Sequence, residues 1–230
     1  MTPTLALRMV LGSLLQPALC ALVLFYPPGD FAWGRAWVLV AVFAVASVAS
    51  MVVLLRASPA LLAERFRSPI QRAQPPADRV VVLVFLAAFA GALRFVPYDV
   101  FEWRLLPPPP MVAAAGGLGL VLAGWWLVTA ALAANAFAVP VVKRQDDHGQ
   151  HVVDTGPYAR VRHPMYAGVA LVLVGAPLWL GSTAGALAAL VPIAILALRI
   201  AIEEAFLRRE LAGYAAYTTR VRARLMPGVW

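Results

Sequence analysis

The chain has 230 residues, of which 62% are hydrophobic and only 13% are charged, and its formal net charge is +8. Soluble domains carry about a quarter charged residues, so this composition excludes an ordinary soluble domain and favours a membrane protein with several spans. The basic residues lie beside apolar segments and therefore indicate membrane topology rather than nucleic-acid binding. The single cysteine, Cys20, lies within an apolar segment, which rules out a disulfide framework and indicates a buried structural thiol.

Six segments are apolar enough to suggest membrane spans, each of which needs about 20 residues. They cover residues 5–26, 34–55, 79–96, 111–134, 165–180 and 183–202. The first is expected to be a span rather than a cleaved signal peptide, because it lacks a clear small-residue cleavage site. The last two are predicted to form a tight helical hairpin, since GAPLWLGSTAG (175–185) contains Pro177 and three glycines. A single kinked helix over 165–202 is the alternative.

The distribution of charge favours six spans with both chain ends on the cytoplasmic side. In that topology sixteen of the 19 basic residues lie inside, and only Arg35, Arg94 and Arg104 lie outside. This agrees with the excess of lysine and arginine that cytoplasmic loops carry. A single span over 165–202 would move the six arginines of the tail outside, against that rule. In a bacterium, the expected location is the inner membrane.

The chain divides into two parts. Residues 1–134 form a membrane domain with four predicted spans and a basic cytoplasmic loop at 56–79, and residues 135–230 form a catalytic region. In the loop, Ser58 and Pro59 are predicted to begin a short amphipathic helix on the inner membrane surface. The outer loop EWRLLPPPP (102–110) predicts a stiff polyproline spacer. The predicted fold is an all-α polytopic membrane protein of six transmembrane helices with a cytoplasmic C-terminal cofactor-binding region.

All three histidines, His148, His151 and His163, fall within sixteen residues, which raises the question of a metal site. Asp146 and Asp147 offer further ligands beside His148. However, no cysteine lies nearby and no HExxH spacing is present. We therefore interpret His148 as part of a solvated loop and expect no metal.

The stretch GPYARVRHPMYAG (156–168) concentrates polar side chains between two hydrophobic segments. Anchoring at the lipid boundary accounts for Tyr158 and Arg160, because tyrosine and arginine are common there. It does not account for the fixed order of Gly-Pro-Tyr, Arg-His-Pro, Tyr and Gly around His163. This order favours a functional motif at the entry to a span.

A second polar site lies at the cytoplasmic end of the last apolar segment, where Glu203 and Glu204 adjoin. Carboxylates near a helix C-terminus oppose the helix dipole and are costly to bury without partners. Arg199 lies four residues before Glu203, on the same helical face. One interpretation is an ordinary ion pair between Arg199 and Glu203 near the end of the helix. The functional interpretation is that a carboxylate holds a polar ligand while Arg199 holds an anionic one.

These motifs carry a family resemblance. The pattern is NxF (Asn135, Phe137), GQxVVDTGPYARVRHPMYAG, RIxxEExxL and YxxYxxRVRxRLMPGVW. Over residues 135–230 it resembles the isoprenylcysteine carboxyl methyltransferase family, and more closely its prokaryotic branch, which the SPALLAERFR loop also resembles. RHPxY alone is shared with sterol reductases and phospholipid methyltransferases and marks a superfamily. The paired glutamates and the RLMPGVW ending narrow the resemblance from this superfamily to the isoprenylcysteine carboxyl methyltransferase family.

The resemblance implies an integral membrane enzyme that uses S-adenosylmethionine to methylate a carboxylate, in eukaryotes that of a prenylated C-terminal cysteine. It implies cofactor contacts from the loop, the motif and the glutamates: Gln150, His151, Val152, Val153, Tyr158, His163, Pro164, Met165, Tyr166, Glu203 and Glu204. Arg199 matches the family's substrate-contacting arginine, and the candidate catalytic residues are Arg199, Glu203 and His163. The family often has histidine where Gln150 stands, which leaves open whether Gln150 or His151 faces the cofactor.

The implied chemistry suits these residues. A carboxylate is already ionised at neutral pH, so methyl transfer needs positioning and exclusion of water rather than a strong general base. The expected partners are a lipidic or prenylated substrate and membrane lipids, with no nucleic acid. The alternatives are an NADPH-dependent reductase of the sterol type, a methyltransferase for a lipid amine or thiol, and a non-catalytic relative. Cofactor binding separates the methyltransferase, the reductase and the non-catalytic protein.

Overall fold

A computed structural model describes residues 3–26, 30–57, 76–137, 150–228 and 230. Two predictions fall outside these residues: the surface helix that begins at Ser58, and the solvated loop with Asp146, Asp147 and His148. Within the described ranges all regular structure is helical, which confirms the all-α class.

The described residues form a series of helices. These are α1 (Pro3–Phe25), α2 (Gly34–Ala57), α3 (Pro76–Tyr98), α4 (Met111–Ala134), α5 (Pro164–Leu180), α6 (Thr183–Ala188), α7 (Leu190–Glu210) and α8 (Tyr214–Arg220). A π-helical turn, Asp99–Trp103, extends α3, and a 3₁₀ turn, Gly156–Ala159, precedes α5. In apolar surroundings a helix satisfies the backbone hydrogen bonds within one segment, which is why the long apolar runs take this form.

In the part of the chain that the structure describes, four helical stretches are long and apolar enough to cross a membrane. They are Gly34–Ala57, Pro76–Trp103, Met111–Ala134 and Thr183–Glu210. Two shorter apolar helical stretches, Leu14–Phe25 and Pro164–Leu180, occupy the first and fifth predicted spans. Helices therefore lie at all six apolar segments, while the six-span count and the orientation of the ends remain predictions.

The chain reverses between α5 and α6 at Gly181, where φ is 98°. This left-handed backbone suits glycine because it has no Cβ. Ser182 then caps α6, its hydroxyl accepting from the amide of Gly185 at 2.7 Å. The start of α5 lies beside the end of α7, where the Tyr166 hydroxyl donates to Glu203 at 2.6 Å. The structure therefore has the predicted hairpin rather than one kinked helix.

Glycines bring α4 and α5 into close contact. Gly124 of α4 lies against Gly168 of α5, and Gly117 lies against Gly175. A Cβ added at Gly124 would come within 2.5 Å of the Gly168 carbonyl oxygen, so a larger residue would force the helices apart. This contact fixes the start of α5, which carries the RHPxY motif, beside the end of α4.

Hydrogen bonds join the remaining long helices into a frame. The hydroxyls of Ser50 on α2 and Thr129 on α4 lie 2.6 Å apart, and the Trp125 indole donates to Ser50 at 2.9 Å. At the opposite end, the Arg94 guanidinium on α3 donates to the carbonyl of Val23 on α1 at 3.0 Å. Such bonds stabilise helix pairs where apolar burial alone does not distinguish neighbours from lipid.

Candidate active site

The candidate site lies at the end of the bundle where α3 and α5 begin and α4 and α7 end, which we call the site end. The loop 150–163 and the C-terminal segment 211–228 also meet there. Because successive long helices alternate in direction, residues far apart in sequence come together. Nearly all the polar side chains discussed below belong to one of two groups.

The first group, which we call the Glu203 cluster, consists of Asp78, Tyr166, Arg199 and Glu203. Nε of Arg199 donates to Oδ1 of Asp78 at 3.1 Å, and the guanidinium lies 5.6 Å from the centre of the Tyr166 ring. The Tyr166 hydroxyl donates to Oε2 of Glu203 at 2.6 Å. Asp78 is fully buried and Arg199 is 8% exposed, whereas Glu203 is partly exposed. The cluster thus runs from a buried ion pair to a carboxylate that solvent can reach.

The second group, which we call the Glu204 clasp, consists of Arg162, His163, Glu204 and Arg224. Oε1 of Glu204 accepts from Nε of Arg162 at 2.6 Å and lies 3.2 Å from Nε2 of His163. Oε2 accepts from Nε of Arg224 at 3.1 Å. A carboxylate can only accept, so Nε2 of His163 carries a hydrogen in this contact. Glu204 is 3% exposed, and its charge is satisfied within the protein.

The clasp fastens the C-terminal segment to the motif. The Arg162 guanidinium donates to the carbonyls of Val221 and Arg222, each at 2.7 Å. The backbone amide of Arg162 donates to the carbonyl of Ala223 at 3.0 Å, and that of His163 donates to Arg224 at 2.9 Å. Residues 221–224 therefore run directly alongside the Arg-His-Pro sequence. This contact explains why the RHPxY motif and the C-terminal RVRxRLMPGVW pattern occur together.

A cluster of apolar side chains joins the loop before the motif to α8. Val152 packs with the buried rings of Tyr214 and Tyr217 and with leucines at the end of α7. The Tyr217 hydroxyl donates to the carbonyl of Tyr158 at 2.7 Å. Burial raises the pKa of Tyr217 above its ordinary value, so the hydroxyl stays protonated and acts as a donor. The loop and α8 thus form one packed unit at the site end.

The NxF motif has a local structural explanation. The side-chain oxygen of Asn135, just after α4, accepts from the amide of Phe137 at 2.9 Å, as in an Asx turn. The Phe137 ring then meets His151 edge-on, with 5.0 Å between ring centres. Asn135 therefore turns the chain out of α4, and Phe137 supports the predicted cofactor loop.

The predicted cofactor residues differ in how accessible they are. His151 is exposed, and the following are partly exposed: Gln150, Val152, Val153, Met165 and Glu203. The buried members are Tyr158, His163, Pro164, Tyr166 and Glu204. A soluble ligand can reach the first set without rearrangement. The second set holds the loop, the motif and the C-terminal segment in place.

Sequence reasoning missed three residues of the two groups. Asp78 is the buried partner of Arg199, and Arg162 and Arg224 bind Glu204, yet none was assigned to the site. The signal for Asp78 was an acidic residue in the first turn of an apolar span, a position that requires a partner. Within the described part of the chain, no group of three or more His, Cys, Asp or Glu residues is placed to hold a metal ion.

Comparison with known proteins bears on the same part of the chain. Residues 112–212 match the family model described as phospholipid methyltransferase. The match begins in α4, ends after α7 and includes both glutamates and the RHPxY motif, whereas Asp78 and α8 lie outside it. A search of curated proteins gave no match. The resemblance is thereby confirmed: residues 112–212 carry the pattern of the phospholipid methyltransferase family, whose members include the membrane methyltransferases related to isoprenylcysteine carboxyl methyltransferase.

Proposed function

We propose that the protein is an S-adenosylmethionine-dependent membrane methyltransferase that methylates the carboxylate of an isoprenylcysteine-like or other lipidic acceptor. The observation that carries the proposal is the Glu203 cluster, where an accessible carboxylate adjoins a buried arginine at the end of apolar helices. The reaction region is residues 135–230, supported by the membrane domain 1–134. The basic residues support a cytoplasmic site end, with both chain ends on that side.

The residues present fit an adenosyl cofactor. Such a cofactor supplies an electrophilic methyl group on a sulfonium cation and brings hydroxyl and ammonium donors with it. The Glu203 carboxylate, oriented by Tyr166, can accept from those donors and offset positive charge. The partly exposed Met165 and the loop residues Val152 and Val153 can line the apolar side of the molecule. The His163 ring is stacked on Tyr166 and tied to Glu204, so it stiffens the motif.

Arg199 is the proposed group for an anionic acceptor. Its guanidinium lies over the Tyr166 ring, close to the Glu203 carboxylate that Tyr166 holds. A buried guanidinium can orient a carboxylate at the lipid boundary while the surrounding helices exclude water. The apolar side chains near Tyr166, including Phe85 and Phe89 of α3, can contact the lipid part of the acceptor.

A lipid amine is a second candidate acceptor, because Asp78 already balances the charge of Arg199. Glu203 offers a second carboxylate beside that pair, and this one is partly exposed. An accessible carboxylate next to a guanidinium that already has a carboxylate partner suits a cationic headgroup. The match to a phospholipid methyltransferase model supports the same possibility.

The bond formed to the methyl group distinguishes the two acceptors. We expect purified protein with methyl-labelled S-adenosylmethionine to label an S-farnesylcysteine derivative, and to release the label as methanol in alkali because the product is an ester. Phosphatidylethanolamine vesicles serve as the parallel acceptor. Alkali-stable label on those vesicles, with none on the farnesylcysteine derivative, would replace the carboxylate proposal with an amine one.

Cofactor binding tests the proposal before the acceptor is known. We expect calorimetry on the detergent-purified chain to detect binding of S-adenosylmethionine. Glu203→Gln should weaken that binding about 10- to 100-fold, because hydrogen bonds to a charged group contribute more to affinity than those between neutral groups. Glu210→Gln is the matched control, since Glu210 is exposed seven residues later on the same helix. Binding of NADPH without S-adenosylmethionine would favour the sterol-type reductase instead.

A further inference from the structure

The hydroxyl of Tyr214 is buried and has no hydrogen-bond partner among the described residues. Tyr214 begins α8 and is 5% exposed, yet its hydroxyl makes no hydrogen bond within the part of the chain that the structure describes. A buried hydroxyl without a partner loses its hydrogen bonds to water and gains none in return, so such groups are rare in native proteins. Its neighbour Tyr217 shows the usual arrangement, because that hydroxyl donates to the Tyr158 carbonyl at 2.7 Å.

The surroundings of Tyr214 belong to the candidate site. Its ring lies 5.7 Å from that of Tyr217 and packs in the same cluster as Val152, a residue of the predicted cofactor loop. Burial raises the pKa of Tyr214, and the negative charges of Glu204 and Glu203 raise it further. The hydroxyl therefore remains protonated at neutral pH and offers a hydrogen to an acceptor.

The position of Tyr214 favours a soluble ligand over a lipid chain. It follows the last long apolar helix, and the residues beside it on α8, Ala215 and Ala216, are exposed. A lipid tail offers no acceptor for a buried hydroxyl, whereas an adenosyl cofactor offers ribose oxygens, adenine ring nitrogens and a carboxylate. Val152, which packs in the same cluster, belongs to the loop assigned to that cofactor.

We propose that the Tyr214 hydroxyl is a cofactor-binding donor that hydrogen-bonds an acceptor atom of S-adenosylmethionine. This assignment rests on the proposed function and adds a residue beyond the 112–212 match. The hydroxyl is held by packing in the free protein and gains its partner only when the cofactor binds. Because the hydroxyl is buried in the free protein, the side chains that cover it must move aside for the cofactor to reach it.

The test exploits two tyrosines of similar burial and different bonding. Tyr214→Phe removes a hydroxyl that makes no hydrogen bond to the residues that the structure describes, so the free protein should unfold at an unchanged or higher temperature. Binding of S-adenosylmethionine and S-adenosylhomocysteine should weaken about tenfold. Tyr217→Phe removes the hydrogen bond to the Tyr158 carbonyl, so the free protein should unfold at a lower temperature. Both variants are measured in the full chain by calorimetric titration and thermal unfolding.

The outcomes separate this proposal from the function on which it rests. If the unaltered protein binds neither S-adenosyl compound, the proposed function fails and the role of Tyr214 fails with it. If the unaltered protein binds them and Tyr214→Phe binds equally well, only the role of Tyr214 is overturned. A lower unfolding temperature for Tyr214→Phe with unchanged binding would show that the hydroxyl has a structural partner, such as a water, and would also overturn it.

Discussion

Replacing Glu204 by alanine is expected to lower the free energy of unfolding by about 3–5 kcal/mol, which is typical when one partner of a buried ion pair is removed. The variant leaves Arg162 buried beside His163 without the carboxylate that both contact. Arg224 loses its hydrogen bond as well. Because the clasp fastens residues 221–224 to the motif, we also expect S-adenosylmethionine binding to be lost.

An exposed ion pair at the same end of the protein supplies the control. Arg220 donates to Asp154 at 2.6 Å, with both side chains largely open to solvent. Arg220→Ala should cost less than about 1 kcal/mol, because water and salt screen such a pair. Thermal unfolding of the detergent-purified variants compares the two. Equal, small shifts in both would show that Glu204 is not structurally required.

The positions of the helices could be predicted from the sequence because the signal is strong and local. Long apolar runs form helices, and Gly181 sits where the chain needs a left-handed turn. The hairpin then follows from two adjacent features, a glycine and the Ser182 cap. The number of helices that cross the membrane is harder to predict, since α5 is short and its boundary with α6 depends on packing.

The division of labour between Glu203 and Glu204 could not be predicted from sequence. Adjacent residues on a helix point about 100° apart, so one can face inward while the other faces a site. Which one does so depends on where Arg162 and Arg224 come to rest, and both belong to segments distant from α7. The resemblance assigned both glutamates to the cofactor, whereas in this structure Glu204 binds protein groups on both of its oxygens.

The partner of Asp78 could not be predicted from the sequence either, because the two residues are far apart along the chain. It lies 121 residues before Arg199, on a helix outside the matched segment. The sequence shows an acid at the start of an apolar span, which predicts that some partner exists. Only the packing of α3 against α7 identifies that partner as Arg199. Helix α3 therefore contributes a charge to the candidate site as well as apolar side chains.

Replacing Asp78 by alanine is expected to destabilise the protein by about 3–5 kcal/mol and to abolish methyl transfer, because the buried Arg199 would lose the carboxylate that its Nε contacts. A double variant, Asp78→Ala with Arg199→Met, removes both charges and keeps a long apolar side chain over the Tyr166 ring. Removing both partners of a buried pair is often neutral, so the double variant should unfold within about 1 kcal/mol of the original protein.

The double variant then separates the structural role of Arg199 from its proposed role with the acceptor. If Arg199 binds an anionic acceptor, methyl transfer stays lost although stability returns, and S-adenosylmethionine still binds because Glu203 and Tyr166 are unchanged. Unfolding temperature, cofactor titration and transfer to the farnesylcysteine derivative measure these three properties on one preparation. Recovery of both stability and transfer would show that the pair serves only to hold α3 against α7. The acceptor would then be recognised by groups other than Arg199, and a lipid amine would become the favoured acceptor.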